Sequence, residues 1–264
     1  LSLLEMLVKA GCPLVFKGGT ALMLILGKSA HRLSIDIDLI CPPGTNIEDY
    51  LKSFADFGFI NLELVERKQR DDADIPKSHS KFFYQIAYRN DTDAQSYILL
   101  DVLYEDIHYF RTQQIAINCP FIRLEGKPLM VTVPSAEDIL GDKLTAFAPN
   151  TTGIPYYRNG RSCSMEIAKQ LYDVGRLFEN VSDLQITKEA FRKIAVVELS
   201  YRSFGTDIGQ VFNDIRQTAL CISTRGKAGE GDFDLIQDGI IRVKSFMYKQ
   251  RYLIDHAIID AARA

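Results

Sequence analysis

The stretch FKGGTALMLILGKSAHRLSIDIDLI, residues 16–40, decides how this chain is read. It joins a glycine pair, Gly18 and Gly19, to a run in which Asp36 and Asp38 alternate with Ile35, Ile37 and Leu39. Side chains alternate across a β-strand, so the two aspartates share one face of the strand expected over 33–40. Two neighbouring carboxylates repel each other unless something positive lies between them, and a divalent cation is the usual solution. Upstream, Gly-Gly-Thr opens a helix directly after a short strand at 13–16. Glycine lets backbone approach a phosphate closely, and the first amides of a helix bind its charge. Thr20 adds a hydroxyl donor. A lone D-x-D is as often a strand-edge pattern, and a lone Gly-Gly is more often a turn. The two together, with sixteen residues between Gly19 and Asp36, are more specific than either.

The surrounding sequence supplies a frame for these motifs. Residues 2–11 have helical spacing and stop at Gly11; 18–27 read as a loop feeding an apolar helix that stops at Gly27. A turn at Cys41-Pro42-Pro43-Gly44 precedes a helix expected over 46–59. Strands are expected over 61–69, 80–90 and 96–106, with a polar loop or hairpin tip at 70–80. A short strand ends at Pro134, and Ser135 starts an amphipathic helix. From 163 onward the apolar spacing is mainly helical. The expected fold is therefore α/β (α+β), a core with a mixed sheet over 1–135 followed by a mainly helical domain over 136–264 that closes the cleft.

Composition narrows the classes. The chain has 264 residues, 47% hydrophobic and 25% charged, with a net charge of −3. That is ordinary for a folded protein and gives no global pull toward nucleic acid or anionic lipid. The five cysteines are scattered without a C-x-x-C pair, and the four histidines form no H-x-x-x-H pattern. This argues against a zinc site or disulfide framework and fits a reducing cytoplasm. No apolar run approaches the ~18 residues of a membrane helix. Leu1 already reads as part of a helix, so the sequence is expected to begin inside a longer protein.

Asp101 adds a third acid, set in the aliphatic run YILLDVLY. A carboxylate where burial is expected is costly unless paired or bound to metal. Three converging aspartates, Asp36, Asp38 and Asp101, can hold one or two Mg²⁺ ions, which take carboxylate and phosphate oxygens.

Three blocks resemble the AbiEii/AbiGii toxin family of nucleotidyltransferases in the polymerase-beta-like superfamily. The first is Lys17 to Leu22 followed by Arg32, Ser34, Asp36, Asp38 and Leu39. The second is Asp142, Lys143, Leu144 and Ala146. The third is Lys169, Leu171, Tyr172 and Asp173, where Gln170 stands in place of the usual acid. The resemblance implies a metal-dependent transfer of a nucleotide from an NTP to an acceptor hydroxyl. It further implies GTP or CTP as donor, tRNA as an acceptor, and a cognate antitoxin encoded alongside. Asp36, Asp38, Asp101, Lys143 and Asp173 are then the catalytic candidates. Lys17, Gly18, Gly19, Thr20, Arg32, Ser34 and Lys143 are the nucleotide-binding candidates.

Read from the residues alone, several of these roles have rivals. Lys143 is either a point charge for the triphosphate, facing the Gly18–Ser34 motif, or a solvated helix lysine. Ser34 holds phosphate or a metal-bound water, or is a plain strand serine. Arg32 contacts phosphate or caps its loop. Asp173 is catalytic, or is paired with Lys169 and Arg176 at helical spacing. The stretch IRVKSFMYKQRY, 241–252, mixes Arg242, Lys244, Lys249 and Arg251 with aromatics, which suits RNA but equally a solvated face over a packed stripe. Two rival functions remain at this point: transfer to a small molecule such as an antibiotic, and a catalytically silent nucleotide-binding module.

Overall fold

A computed structural model describes every residue except 65–76, 86–94, 124, 202–204, 206 and 249. The expected loop at 70–76, the far ends of the strands expected over 61–69 and 80–90, and Lys249 lie outside the described residues. The chain divides into two compact units. The first comprises Leu1–Lys28, Ser34–Ile107 and Thr112–Pro134; the second comprises Ser29–Leu33, His108–Arg111 and Ser135–Ala264.

The first unit is built on a five-stranded mixed sheet. Helix α1 (Ser2–Lys9) leads into β1 (Val15–Lys17), α2 (Gly18–Leu26) and β2 (Ile37–Cys41), followed by β3 (Asn61–Leu64), β4 (Lys77–Gln85) and β5 (Gln95–Tyr104). Spatial order is β1-β2-β5-β4-β3, with β2 and β5 parallel and the other pairs antiparallel. The apolar stripe of α1 (Leu3, Leu4, Met6, Leu7) is fully buried against Phe16, Ile37, Leu39, Phe82, Leu100 and Val102. A second, two-stranded sheet pairs β6 (Thr112–Ala116) with β7 (Met130–Pro134).

Three expectations change in this unit. The strand expected over 33–40 begins only at Ile37. Lys17, the last residue of β1, pairs with Asp38, so β1 offers nothing to residues 33–36. The Asp36 carbonyl instead accepts the Thr20 hydroxyl at 2.6 Å. The helix expected over 46–59 is two 3-10 turns, Ile47–Tyr50 and Phe54–Phe57. That tighter winding aligns side chains three apart, which puts Ile47 with Tyr50 and Phe54 with Phe57 against the same core. Residues 77–80, read as loop, are the start of β4, paired with Leu100–Leu103 of β5.

The second unit is helical apart from a small hairpin, β8 (Tyr157–Arg158) with β9 (Arg161–Ser162). Its helices are α3 (Ala136–Ala146), α4 (Ser164–Phe178), α5 (Leu184–Ser200), α6 (Ile208–Ser223), α7 (Phe233–Val243) and α8 (Ile254–Ala261). Ser135 caps α3 by accepting the Asp138 amide, as its sequence suggests. Buried Asp138 also accepts the amides of Phe110 and Arg111 at 2.7 and 3.0 Å, which fixes 108–111 to this unit. Residues 31–33 are held by the segment after α7, through Leu33 N–H to the Phe246 carbonyl and Tyr248 N–H to the His31 carbonyl, both 2.7 Å. The 241–252 stretch is thus a backbone clamp. Its Phe246 ring lies under the Lys169 ammonium, and Tyr252 is buried. No helix among the described residues is long and apolar enough to cross a membrane.

Helix α3 sits tightly on α5 because Gly141 has no side chain. A Cβ there would lie 2.7 Å from the Phe191 backbone nitrogen and 2.9 Å from the Ala190 Cβ. Backbone cannot yield as a flexible side chain does, so Gly141→Ala is expected to destabilise the protein by about 1–3 kcal/mol despite its better helix propensity. Thermal unfolding checks this; a melting temperature at or above wild type contradicts it.

Candidate active site

Strand register builds the acidic site of the first unit. Asp38 on β2 stands opposite Asp101 on β5, and Lys17 on β1 stands opposite Asp38. Paired residues in a ladder present their side chains on the same face, so Lys17, Asp38 and Asp101 form a row across three strands. The flanking Ile37, Leu39, Leu100 and Val102 point the other way, into the core. This division explains how two aspartates persist in aliphatic strands: alternation puts both on the less buried face. Asp36 lies one step before β2, half-buried, at the position that alternation assigns to the Asp38 face. Each of Lys17, Asp36, Asp38 and Asp101 already has a partner in the protein.

Gly18 couples the glycine turn to this row. It has a φ of +75°, and a Cβ built on it would overlap the Asp38 carboxylate. Only glycine meets both demands. Helix α2 starts at Gly18 with no side chain capping it, so nothing from a side chain competes for the first amides. Thr20 and Ser34 are placed differently from expectation. Thr20 is buried and its hydroxyl is committed to the Asp36 carbonyl, so it fixes the approach to β2 rather than offering itself to phosphate. Ser34 is half-buried and its amide donates to the Met23 sulfur at 3.1 Å.

The three aspartates supply hard oxygen donors of the class Mg²⁺ takes. That ion is usually held by one or two carboxylates together with substrate phosphates. Among the described residues no three His, Cys, Asp or Glu side chains are gathered into a metal-holding cluster. The residues fit Mg²⁺ by donor chemistry and by the Asp38–Asp101 register, not as a closed protein cage.

The second unit contains a separate buried charge cluster. Asp173 on α4 is 1% exposed. Its carboxylate accepts from Arg32 Nε at 3.0 Å and Nη2 at 2.7 Å, and from Lys143 Nζ at 3.0 Å. Lys143, on α3, also donates to Gln170 Oε1 at 3.0 Å, and Arg32 Nη1 donates to the Leu33 carbonyl at 3.2 Å. Burial by itself would raise the Asp173 carboxyl, but the Arg32 and Lys143 charges and hydrogen bonds outweigh it and hold it below the ordinary carboxylate value.

This corrects three roles. Asp173 does not pair with Lys169 and Arg176; Lys169 lies on Phe246, and Arg176 goes to Glu179 at 2.7 Å and Asp260 at 3.4 Å. Arg32 touches its own loop through the Leu33 carbonyl, but its main engagement is with Asp173. Its guanidinium is 7% exposed and spans both Asp173 oxygens. Lys143 is no solvated helix lysine, being 8% exposed. The link from Arg32 to Asp173 crosses 141 positions of sequence, and helical spacing gives no sign of it.

A profile of the AbiEii family, described as nucleotidyl transferase AbiEii toxin, type IV TA system, matches residues 2–246. A search of curated proteins finds no match. Among solved structures, the chain is similar to MenT4, a nucleotidyltransferase toxin from Mycobacterium tuberculosis H37Rv. That match has a TM-score of 0.56 at 14% identity and covers 99% of this chain and 79% of that one. JHP933 from Helicobacter pylori also aligns, with a TM-score of 0.47 at 15% identity, covering 99% of this chain and 87% of that one. The MenT4 likeness supports the fold. The profile spans nearly the whole sequence with all three motif blocks inside it, and by that match the chain belongs to the AbiEii family of nucleotidyltransferase toxins.

Proposed function

We propose that this protein transfers a nucleotide from an NTP to an acceptor hydroxyl, with tRNA as the acceptor, and acts in the cytoplasm as the toxin of a type IV toxin–antitoxin system. The observation that carries the reading is the pairing of Asp38 with Asp101, with the side-chain-free Gly18 at the start of α2 set against the Asp38 carboxylate. In the reaction the acceptor oxygen bonds to the α-phosphorus, the α–β bridging bond breaks, pyrophosphate leaves, and the acceptor proton passes to solvent. Asp36, Asp38 and Asp101 are assigned to Mg²⁺. The metal, when bound, supplies charge that offsets the triphosphate and the leaving pyrophosphate. The Gly18 and Gly19 amides, at the uncapped start of α2, are assigned to phosphate oxygens. Lys143 is assigned to the triphosphate as a point charge. Asp173 is a positioning residue, since both its oxygens are committed to Arg32 and Lys143. Family membership also implies a cognate antitoxin.

The test is pyrophosphate release from each NTP, with Mg²⁺, in the presence and absence of total tRNA. RNA-dependent release with one NTP is the expected result. Release driven by a small hydroxyl compound instead of RNA moves the reading to small-molecule transfer. Nucleotide binding without any release makes the chain a silent binding module.

A further inference from the structure

We infer that the backbone pair of 31–33 with 246–248, edged by Lys169, Lys244 and Arg251, docks a single-stranded segment of the acceptor RNA; the inference rests on the nucleotidyl-transfer reading. The first step is which way the side chains of this pair face. Arg32 stands opposite Met247 in an antiparallel bridge. The Leu33 amide donates to the Phe246 carbonyl and the Tyr248 amide to the His31 carbonyl, each at 2.7 Å. Opposite residues in such a pair share a face, and their neighbours take the other. Arg32 turns inward to Asp173, and Met247 packs against the core of the helical unit. Register therefore assigns His31, Leu33, Phe246 and Tyr248 to the outer face. Exposure agrees: Leu33 is 37% and Tyr248 39% exposed, against 7% for Arg32.

That face is aromatic with cationic edges. The Lys169 ammonium, from α4, lies 3.5 Å from the centre of the Phe246 ring. Lys244 and Arg251 flank the pair in sequence, and both are exposed. The acids nearby in sequence are engaged elsewhere. No Asp or Glu occurs between Asp238 and Asp255. Asp238 lies 3.6 Å from Arg242, and Asp255 2.7 Å from Arg225. Glu166, one turn before Lys169 on α4, turns its Oε2 into the protein. Lys244 and Arg251 have no carboxylate partner among the described residues. A chain of net charge −3 thus keeps a local positive excess beside an exposed tyrosine. Flexible RNA needs both features: cations for its phosphates and a ring face on which an unstacked base can lie. An acidic peptide would engage the cations too, so the ring is what separates the two partners.

Fluorescence anisotropy with labelled total tRNA, and with a labelled single-stranded RNA, tests this in titrations at several salt concentrations without NTP. Lys244→Gln combined with Arg251→Gln is expected to weaken binding about tenfold and to lower the salt slope by about one per residue. The melting temperature stays at the wild-type value, because both side chains are exposed. Tyr248→Leu is expected to lose about fivefold or more with the salt slope unchanged, whereas Tyr248→Phe binds as wild type, since stacking needs the ring and not the hydroxyl. A merely structural role would move the melting temperature and leave the slope alone. An unchanged slope in the double variant, an equal loss in Tyr248→Phe and Tyr248→Leu, or no RNA binding by the wild type each overturns the inference. Undiminished RNA binding by the double variant, with lost affinity for polyglutamate, also overturns it and gives the surface to an acidic protein. Failure of the transfer reading looks different. RNA would then bind in a manner that depends on Lys244, Arg251 and Tyr248, yet no NTP would yield pyrophosphate.

Discussion

Asp38→Asn is expected to abolish nucleotidyl transfer while leaving the protein folded and as stable as wild type or slightly more so. The two effects have separate physical origins. Asp38 sits in β2 opposite Asp101, so two carboxylates occupy neighbouring positions on one sheet face. Like charges directly across a ladder are destabilising, and an isosteric amide relieves that while keeping the contact with Gly18. The amide also removes the anionic oxygen assigned to Mg²⁺. Charge stabilisation by a bound metal is worth several kcal/mol at the transition state, and each ~1.4 kcal/mol is tenfold in rate, so the loss is roughly a thousandfold or more. Asp101→Asn should show the same pattern, because the register makes the two positions equivalent neighbours. Raising Mg²⁺ should recover part of the activity if the defect is weakened binding. Turnover by Asp38→Asn equal to wild type at low Mg²⁺ would refute the metal assignment, whereas a fall in melting temperature would mean that Asp38 serves the fold instead.

The part of this site that the sequence discloses is the part governed by local periodicity. Alternation alone puts Asp36 and Asp38 on one face and Ile37 and Leu39 on the other, and the sheet follows it from Ile37 onward. Glycine after a strand marks the start of α2, and Ser135 marks the start of α3. The family assignment was also legible, because its motif blocks are contiguous in sequence. What periodicity cannot disclose is a partner far along the chain. Thr20 reads as a free hydroxyl until the Asp36 carbonyl is found 2.6 Å away. Asp173 has cations at helical spacing on both sides, Lys169 and Arg176, so local reasoning pairs it with them. The structure gives each of those another contact and brings in Arg32 and Lys143 instead. The same limit hid the 3-10 turns at 47–57, since apolar residues three apart suit a 3-10 turn as well as an α-helix.

Asp173→Ala is expected to be the most destabilising single change in the helical unit, costing about 3–5 kcal/mol. The magnitude follows from what is left behind. Removing one member of a buried ionic cluster strands the others, and here two cations, Arg32 and Lys143, lose their shared carboxylate. For a chain of this size each kcal/mol lowers the melting temperature by roughly 2–4 °C, so the fall is on the order of 10 °C. Lys143→Ala should behave differently: the two-point Arg32 grip on Asp173 survives, the fold holds, and nucleotide binding weakens. Acid titration separates charge from shape. The Asp173 carboxyl is held below the ordinary value in the folded protein, so its contribution is fully present above the unfolded value of about 3.9. The contribution is lost as pH falls from there toward the folded value. The stability gap between wild type and Asp173→Asn should therefore be constant near neutrality and shrink below about pH 4. Denaturant unfolding at a series of pH values measures it. A gap that stays constant down to pH 2 would mean that the Asp173 shape, not its charge, holds Arg32 and Lys143 in place.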